Sequence, residues 1–210
     1  MIKKNLKLLL VTSVIVLLPI LVGLVLWNQL PDQLPFHWNA AGEVDGWASK
    51  PVAVFGAPLM MLACQWLCVV VTAADPKKAN HPGKILHLVF WIIPVLSAMI
   101  SAAIYATALG KTVRIELLTP VLLGVLFVII GNYLPKCKQN YTIGIKIPWT
   151  LHSEENWNKT HRFAGMLWVI CGFAMMITGF FGDFWFILPI ALVMVIPPFL
   201  YSYLLYRKGV

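Results

Sequence analysis

Apolar residues along this chain fall in six uninterrupted blocks, at about 6–30, 52–74, 85–109, 115–134, 163–181 and 184–206. Each is long enough to cross a hydrocarbon layer of about 30 Å as a helix, which takes about 20 residues. Closed β-barrels would instead show segments of about ten residues with alternating polarity, and no such alternation occurs. The pattern predicts an all-α membrane protein, a six-helix transmembrane bundle. The first block follows Met-Ile-Lys-Lys and imitates a secretory signal. It is too long for the apolar region of one, and no small-x-small cleavage site precedes Asn28, so it is expected to stay as the first helix.

Two longer polar segments interrupt the blocks. One, PDQLPFHWNAAGEVDGWASK at 31–50, follows the first block, and the other, at 135–162, separates the fourth from the fifth. The remaining connections, 75–84, 110–114 and 182–183, are short, and no internal repeat or low-complexity tract occurs. One polytopic membrane domain over 1–210 is the expected organisation.

Composition agrees: 60% of residues are hydrophobic and 11% charged, against about 45–50% and about 25% in soluble domains. Charge then orients the chain. With the N-terminus in the cytoplasm, thirteen of the sixteen Lys and Arg residues lie inside, leaving Lys50, Lys111 and Arg114 outside. The positive-inside rule therefore predicts N-in/C-in, an extracytoplasmic 31–50 segment and a cytoplasmic 135–162 loop. The formal charge of +8 becomes a rim facing the anionic lipid bilayer, and no direct nucleic acid binding is expected.

Within the spans, Ser97, Ala98, Ser101, Ala102 and Ala106 form an i, i+4 set of small residues. Such a face allows close helix approach, so the third span is expected to be central. Pro94, Pro120, Pro189, Pro197 and Pro198 are expected to kink their helices. Ionisable groups are nearly absent from the spans; Glu116 and His87 lie near span ends. That argues against an ion-coupled transporter. A passive channel or transporter for a small solute or peptide stays open, with Gln65, Asn132, Ser97 and Ser101 as its polar path. Cys64 and Cys68 lie one turn apart without His or carboxylate partners and read as packing residues.

The outer segment reads as a tight hairpin. Two short runs flank Asn39-Ala-Ala-Gly42, with a second turn signal at Asp45-Gly46 and glycines suited to positive φ. Phe36, Trp38, Val44 and Trp47 would lie at the membrane interface. A structural cap and a binding face for something arriving from outside both fit. Asn39, Glu43 and Asp45 are calcium-type ligands without the twelve-residue spacing of an EF-hand, and no metal is expected.

In the inner loop, Pro148 forbids helix continuation, and Thr150 and Ser153 are N-cap types ahead of Glu154-Glu155. A helix should start near Ser153 and run through Trp157 and His161, which share a face, beside Lys159 and Arg162. The preceding 140–147 stretch alternates around Gly144 and suits a short strand-like or re-entrant segment. His152 and His161 are nine apart, with no paired carboxylate or nucleophile to complete a site. No enzyme and no cofactor are expected; the enzymatic alternative is a membrane enzyme at the inner interface using one of these histidines.

Gly131-Asn132-Tyr133-Leu134-Pro135, Asn140, Ile143-Gly144-Ile145-Lys146, Pro148-Trp149-Thr150-Leu151, Ser153, Trp157 and Thr160-His161-Arg162 together resemble the C-terminal motif of the SdpI family. These are multi-pass bacterial membrane proteins that give immunity to a secreted, membrane-acting toxin peptide. Pro35, His37, Asn39, Gly42, Asp45, Trp47 and Lys50 are similar to the DUF1648 module found with it, whose biochemical role is unknown. The resemblance implies two modules, 6–74 and 110–206, in the bacterial cell membrane. It implies immunity by binding a toxin peptide and signalling to a cytoplasmic transcription repressor. His37, Asn39, Gly42, Asp45 and Trp47 become toxin-facing candidates. Asn132, Asn140, Gly144, Lys146, Pro148, Trp149, Thr150, Trp157, His161 and Arg162 become the cytoplasmic motif. Lys146 departs from the arginine usual there, keeping the charge and losing the bidentate fork.

Overall fold

The computed structural model describes residues 2–81, 83–181 and 184–210. The elements are α1 (Leu6–Val25), β1 (Gln33–Trp38), β2 (Val44–Ser49), α2 (Ala57–Ala74), α3 (Gly83–Ala108), α4 (Ile115–Tyr133), α5 (Pro148–His152), α6 (Glu154–Phe180) and α7 (Ile187–Arg207). Among the described residues six helices, all but the one-turn α5, are long and apolar enough to cross a membrane. Every apolar block is helical; the expected 182–183 connection lies outside the described residues. The first helix stops at Val25, short of the expected 30, and the chain turns through Leu26–Leu30 instead.

The chain packs as two compact units, Met1–Ala73 with Leu86–Ile115, and Ala74–Ile85 with Glu116–Val210. Hydrocarbon offers no hydrogen-bond partners, so polar side chains in such units must find them internally. In the first unit Gln65 Nε2 donates to Thr12 Oγ1 (2.8 Å) and to the Phe90 carbonyl (3.2 Å). Ser97 Oγ donates to the Val16 carbonyl (3.0 Å), and the Tyr105 hydroxyl to the Pro19 carbonyl (3.0 Å). Interhelical bonds of this kind average about 0.6 kcal/mol each. The expected small-residue face divides: Ser97 and Ser101 are buried, whereas Ala98 and Ala102 are exposed. The two serines bury their polar groups where an exposed hydroxyl would be unsatisfied; the alanines carry no such demand.

Below the hairpin, Leu30, Leu34, Ala53, Val54, Ile104 and Tyr105 form a buried cluster. It seats the base of β1 on the ends of α1 and α3. Lys50 locks this corner: its Nζ donates to the Trp27 carbonyl (3.2 Å), lies 3.5 Å from the Asp32 carboxylate and sits over the Trp27 ring.

In the second unit α4 and α6 meet backbone to backbone. A Cβ on Gly124 would lie 2.5 Å from the Gly172 carbonyl oxygen, and one on Gly131 would lie 2.8 Å from that of Gly165. The seven-residue spacing on both helices matches the repeat of a left-handed crossing. Asn156 ties α6 to α7, its Nδ2 donating to the Ser202 carbonyl (3.0 Å) and its Oδ1 accepting from Ser202 Oγ (2.6 Å). Together these contacts fix the ends from which the 134–153 segment leaves.

Candidate functional site

The segment between α4 and α6 forms no strand in the described residues; it wraps around buried side chains. Asn140 is its centre. The Asn140 Oδ1 accepts from the backbone N–H groups of Thr142 (2.9 Å) and Ile143 (2.7 Å), and Nδ2 donates to the carbonyls of Lys138 (2.8 Å) and Ile143 (2.9 Å). The side chain therefore replaces the ladder that a strand would need. Gln139 works in the same way one residue earlier, its Nε2 donating to the carbonyls of Thr150 and Leu151 (2.8 and 2.9 Å).

Ser153 caps α6 as its sequence position suggests, with Oγ accepting from the Asn156 N–H (3.1 Å). Thr150 does not cap that helix. It lies inside α5, and its hydroxyl donates back to the carbonyls of Ile145 (2.8 Å) and Ile147 (3.0 Å). Pro148 starts α5, where its missing N–H is not needed.

Trp157 and His161 are fully buried and stacked, ring centroids 4.0 Å apart and planes 19° from parallel. Trp157 Nε1 donates to the Cys137 carbonyl (2.7 Å). His161 receives the Ile145 N–H on Nε2 (2.9 Å), so Nδ1 carries the proton and donates to the Trp157 carbonyl (2.8 Å). Gly144 crosses directly over the pair at φ +119°, and a Cβ there would fall 2.4 Å from His161 Nε2. No other residue type fits.

A second buried group comes from the connection between α2 and α3, which the sequence reading treated as a plain link. Both Asp75 and His81 have fully buried side chains, with His81 Nε2 3.2 Å from Asp75 Oδ2. The same oxygen accepts from the Tyr141 N–H (2.9 Å) and the Thr142 hydroxyl (2.8 Å), and Asp75 Oδ1 accepts from the Lys77 N–H (2.7 Å). Burial pushes the Asp75 carboxyl up, but the Thr142 hydroxyl, the Lys77 and Tyr141 N–H groups and His81 more than offset this and hold it below its ordinary value. Lys77 Nζ donates to Gln139 Oε1, and Asn80 Nδ2 to the Gln139 carbonyl (2.7 Å). The two connections are therefore clamped together at one end of the second unit. The available signal for Asp75 was an acidic residue directly after an apolar block, in a chain with only eight Asp and Glu.

Chemically the cluster is a clamp. The Thr142 hydroxyl donates to the Asp75 carboxylate and lies 3.1 Å from His81 Nε2, so all three side chains are held by one another. No three His, Cys, Asp or Glu side chains among the described residues are placed to hold one metal ion.

The remaining inner candidates lie outside the clamp. Lys146 is exposed and donates to the Thr142 carbonyl (2.8 Å), and Pro148 is exposed beside it. Trp149 packs against Phe199 and Tyr203 of α7, centroids 5.2 Å from each. Asn132 is exposed on α4. Arg162 and Lys159 are exposed on α6, on the side away from the buried Trp157 and His161. His152 is exposed, with its Nδ1 2.8 Å from the Pro148 carbonyl.

The other candidate surface is the hairpin. Asn39 builds its turn: Oδ1 accepts from the N–H groups of Ala41 (2.9 Å) and Glu43 (3.0 Å), Nδ2 donates to Glu43 Oε2 (3.1 Å), and Gly42 takes φ +76°. Asp45-Gly46 is not a second turn. Register pairs Pro35 with Trp47, His37 with Gly46 and Trp38 with Val44, so Phe36 and Asp45 are extra residues, one bulge on each strand. The bulges bring His37 Nδ1 within 2.5 Å of Asp45 Oδ1. Gly46 permits this, since a Cβ there would lie 2.8 Å from His37 Cβ. Trp47 remains 60% exposed, and Phe36 38%, so two apolar rings flank an exposed charge-assisted bond.

Residues 136–202 match the SdpI/YfhL protein family, and residues 14–62 match DUF1648, a domain of unknown function. Across 209 residues, 98% of this chain and 97% of the relative, the sequence is 29% identical to Immunity protein SdpI of Bacillus subtilis (strain 168). The chain is thus similar to the SdpI family in its C-terminal third and to one of its immunity proteins over nearly its whole length. No solved structure matches it. It is a multi-pass bacterial membrane protein. The SdpI match takes in the whole clamp on the α6 side, from Gln139 to Ser202, but not Asp75, His81 or Asn132. The DUF1648 match contains the entire hairpin.

Proposed function

We propose that this protein protects a bacterial membrane against a secreted, membrane-acting toxin peptide by binding it, without a chemical step. The observation that carries this reading is the similarity over nearly the whole chain to a protein named for immunity. In the proposal the protein sits N-in/C-in, supported by the placement of thirteen of sixteen basic residues. The hairpin then meets the arriving peptide. Exposed Trp47 and Phe36 offer apolar area, and His37 and Asp45 offer a polar register between them. Asn39 and Gly42 hold the turn that presents these groups.

On the other side, the buried Asn140, Thr150, Trp157 and His161, with the half-buried Gly144, shape a platform. Its exposed residues, Tyr141, Lys146 and Pro148, are the docking surface for a cytoplasmic repressor. A peptide that binds one state of the protein more tightly would shift the population at this surface. Two features count against the channel reading: the Gln65 Nε2 and Ser97 hydroxyl donors are bonded inside the first unit, and Asn132 faces outward. The test is survival. Expression in a sensitive bacterium challenged with a panel of secreted membrane-acting peptides should raise survival against at least one. Unchanged survival across the panel would contradict the proposal.

A further inference from the structure

Along the exposed side of α6 runs an open groove of about 710 Å³ that the clamp does not use. Its walls are residues of one helical face together with Tyr201 of α7. At about 1.5 Å rise per residue, the face is graded in three tiers. Glu155, Asn158 and Lys159 form the outermost. Arg162 is the middle tier. Phe163 and Met166 form the innermost with Tyr201, whose ring lies 4.8 Å from that of Phe163.

This order matches that of a membrane boundary. No Asp, Glu, Lys or Arg occurs between 163 and 181, so Arg162 is the last charge before the hydrocarbon. Lys159 is already paired with Glu155 (N–O 2.7 Å). Arg162 makes no hydrogen bond or ion pair among the described residues. The groove therefore carries one uncompensated positive charge, on the side chain whose planar fork best fits a phosphate. The apolar floor directly beneath it suits an acyl chain.

We propose that this groove is a binding site for an anionic glycerophospholipid, with the phosphodiester on Arg162, acyl carbon over Phe163 and Met166, and the polar head toward Asn158 and Lys159. Net charge selects the lipid class. A headgroup of net charge −1 neutralises the groove, whereas a zwitterionic head brings its own cation and leaves Arg162 uncompensated. This assigns Arg162 to lipid, apart from the repressor-docking surface, and it does not depend on the immunity reading.

The test is native mass spectrometry of the full chain in detergent, titrated separately with dioctanoyl phosphatidylglycerol, dioctanoyl phosphatidylethanolamine and glycerol 1-phosphate. Phosphatidylglycerol should bind about tenfold more tightly than phosphatidylethanolamine, and Arg162→Gln should remove about that factor. Lys208→Gln, beyond the end of α7, should leave it unchanged. Met166→Glu, which puts a carboxylate on the floor, should abolish binding and serves as a second probe should Arg162→Gln fail to fold. Equal binding of the two lipids, full retention in Arg162→Gln or Met166→Glu, or binding of glycerol 1-phosphate as tight as that of the lipid would overturn the proposal.

Discussion

Ile145 and His161 hold each other in place: the Ile145 backbone N–H donates to His161 Nε2 over 2.9 Å, inside a cluster where His161 has no exposed surface. Both ring nitrogens are committed, one as acceptor and one as donor to the Trp157 carbonyl. The histidine is thereby a structural pin for the loop and is not available for proton transfer.

His161→Phe tests this directly. Phenylalanine preserves the stack on Trp157 but leaves the Ile145 N–H without an acceptor. The expected cost is about 1–3 kcal/mol, read as a lower thermal unfolding midpoint in detergent. A midpoint equal to that of the wild type would contradict the pin.

Gly144→Ala should be at least as damaging. A Cβ there meets His161 Nε2 at 2.4 Å and the Trp157 ring at 3.1 Å, at a φ of +119°. Overpacking and backbone strain each cost about 1–3 kcal/mol. Trp157 fluorescence should shift toward that of a solvated indole at temperatures where the wild type is still folded.

How far the sequence could be read follows from what each feature depends on. The six spans were legible because a bilayer demands long apolar runs, and the hairpin because Asn39 and Gly42 are local turn chemistry. Ser153 was legible as a cap for the same reason. Asp75 and His81 were not, because their partners Tyr141 and Thr142 lie some sixty residues away and nothing in DPKKANHPGK announces them. Asp45-Gly46 looked like a turn because a bulge and a turn call for similar residues. The glycines of α4 and α6 pass as ordinary span residues until the two backbones are seen face to face.

That last contact gives a third prediction. Gly172→Val places side-chain carbon against the Gly124 carbonyl oxygen and the Val128 N–H, at 2.7 and 2.9 Å from the first added atom. Neither neighbour is a side-chain tip that can move aside. The helices must separate, at about 1–3 kcal/mol or more, and yield of folded protein in detergent should fall. Gly83→Ala, where nothing lies within 4 Å, is the matched control.

Asp75 gives the clamp a pH dependence with a definite sign. Its folded carboxyl lies below the ordinary value of 3.8. Its contribution to stability is therefore fully present above that value and is lost as pH falls through the lower folded one. Thermal midpoints measured from about pH 5 down to about pH 2 should show the wild type losing its advantage over Asp75→Asn. A constant difference between the two proteins across that range would mean that the carboxylate is not what holds Tyr141 and Thr142.

The hairpin should behave in the opposite way, with little effect on stability and a large effect on function. His37 and Asp45 are 72% and 44% exposed in their side chains, and exposed pairs contribute about 0–1 kcal/mol. The most direct measurement is membrane potential in toxin-challenged sensitive cells expressing the wild type or a His37→Ala, Trp47→Ala double variant at equal membrane abundance. The account predicts that the wild type preserves the potential and the variant does not, with unfolding midpoints alike. Collapse of the potential in both, or equal protection by both, would contradict it.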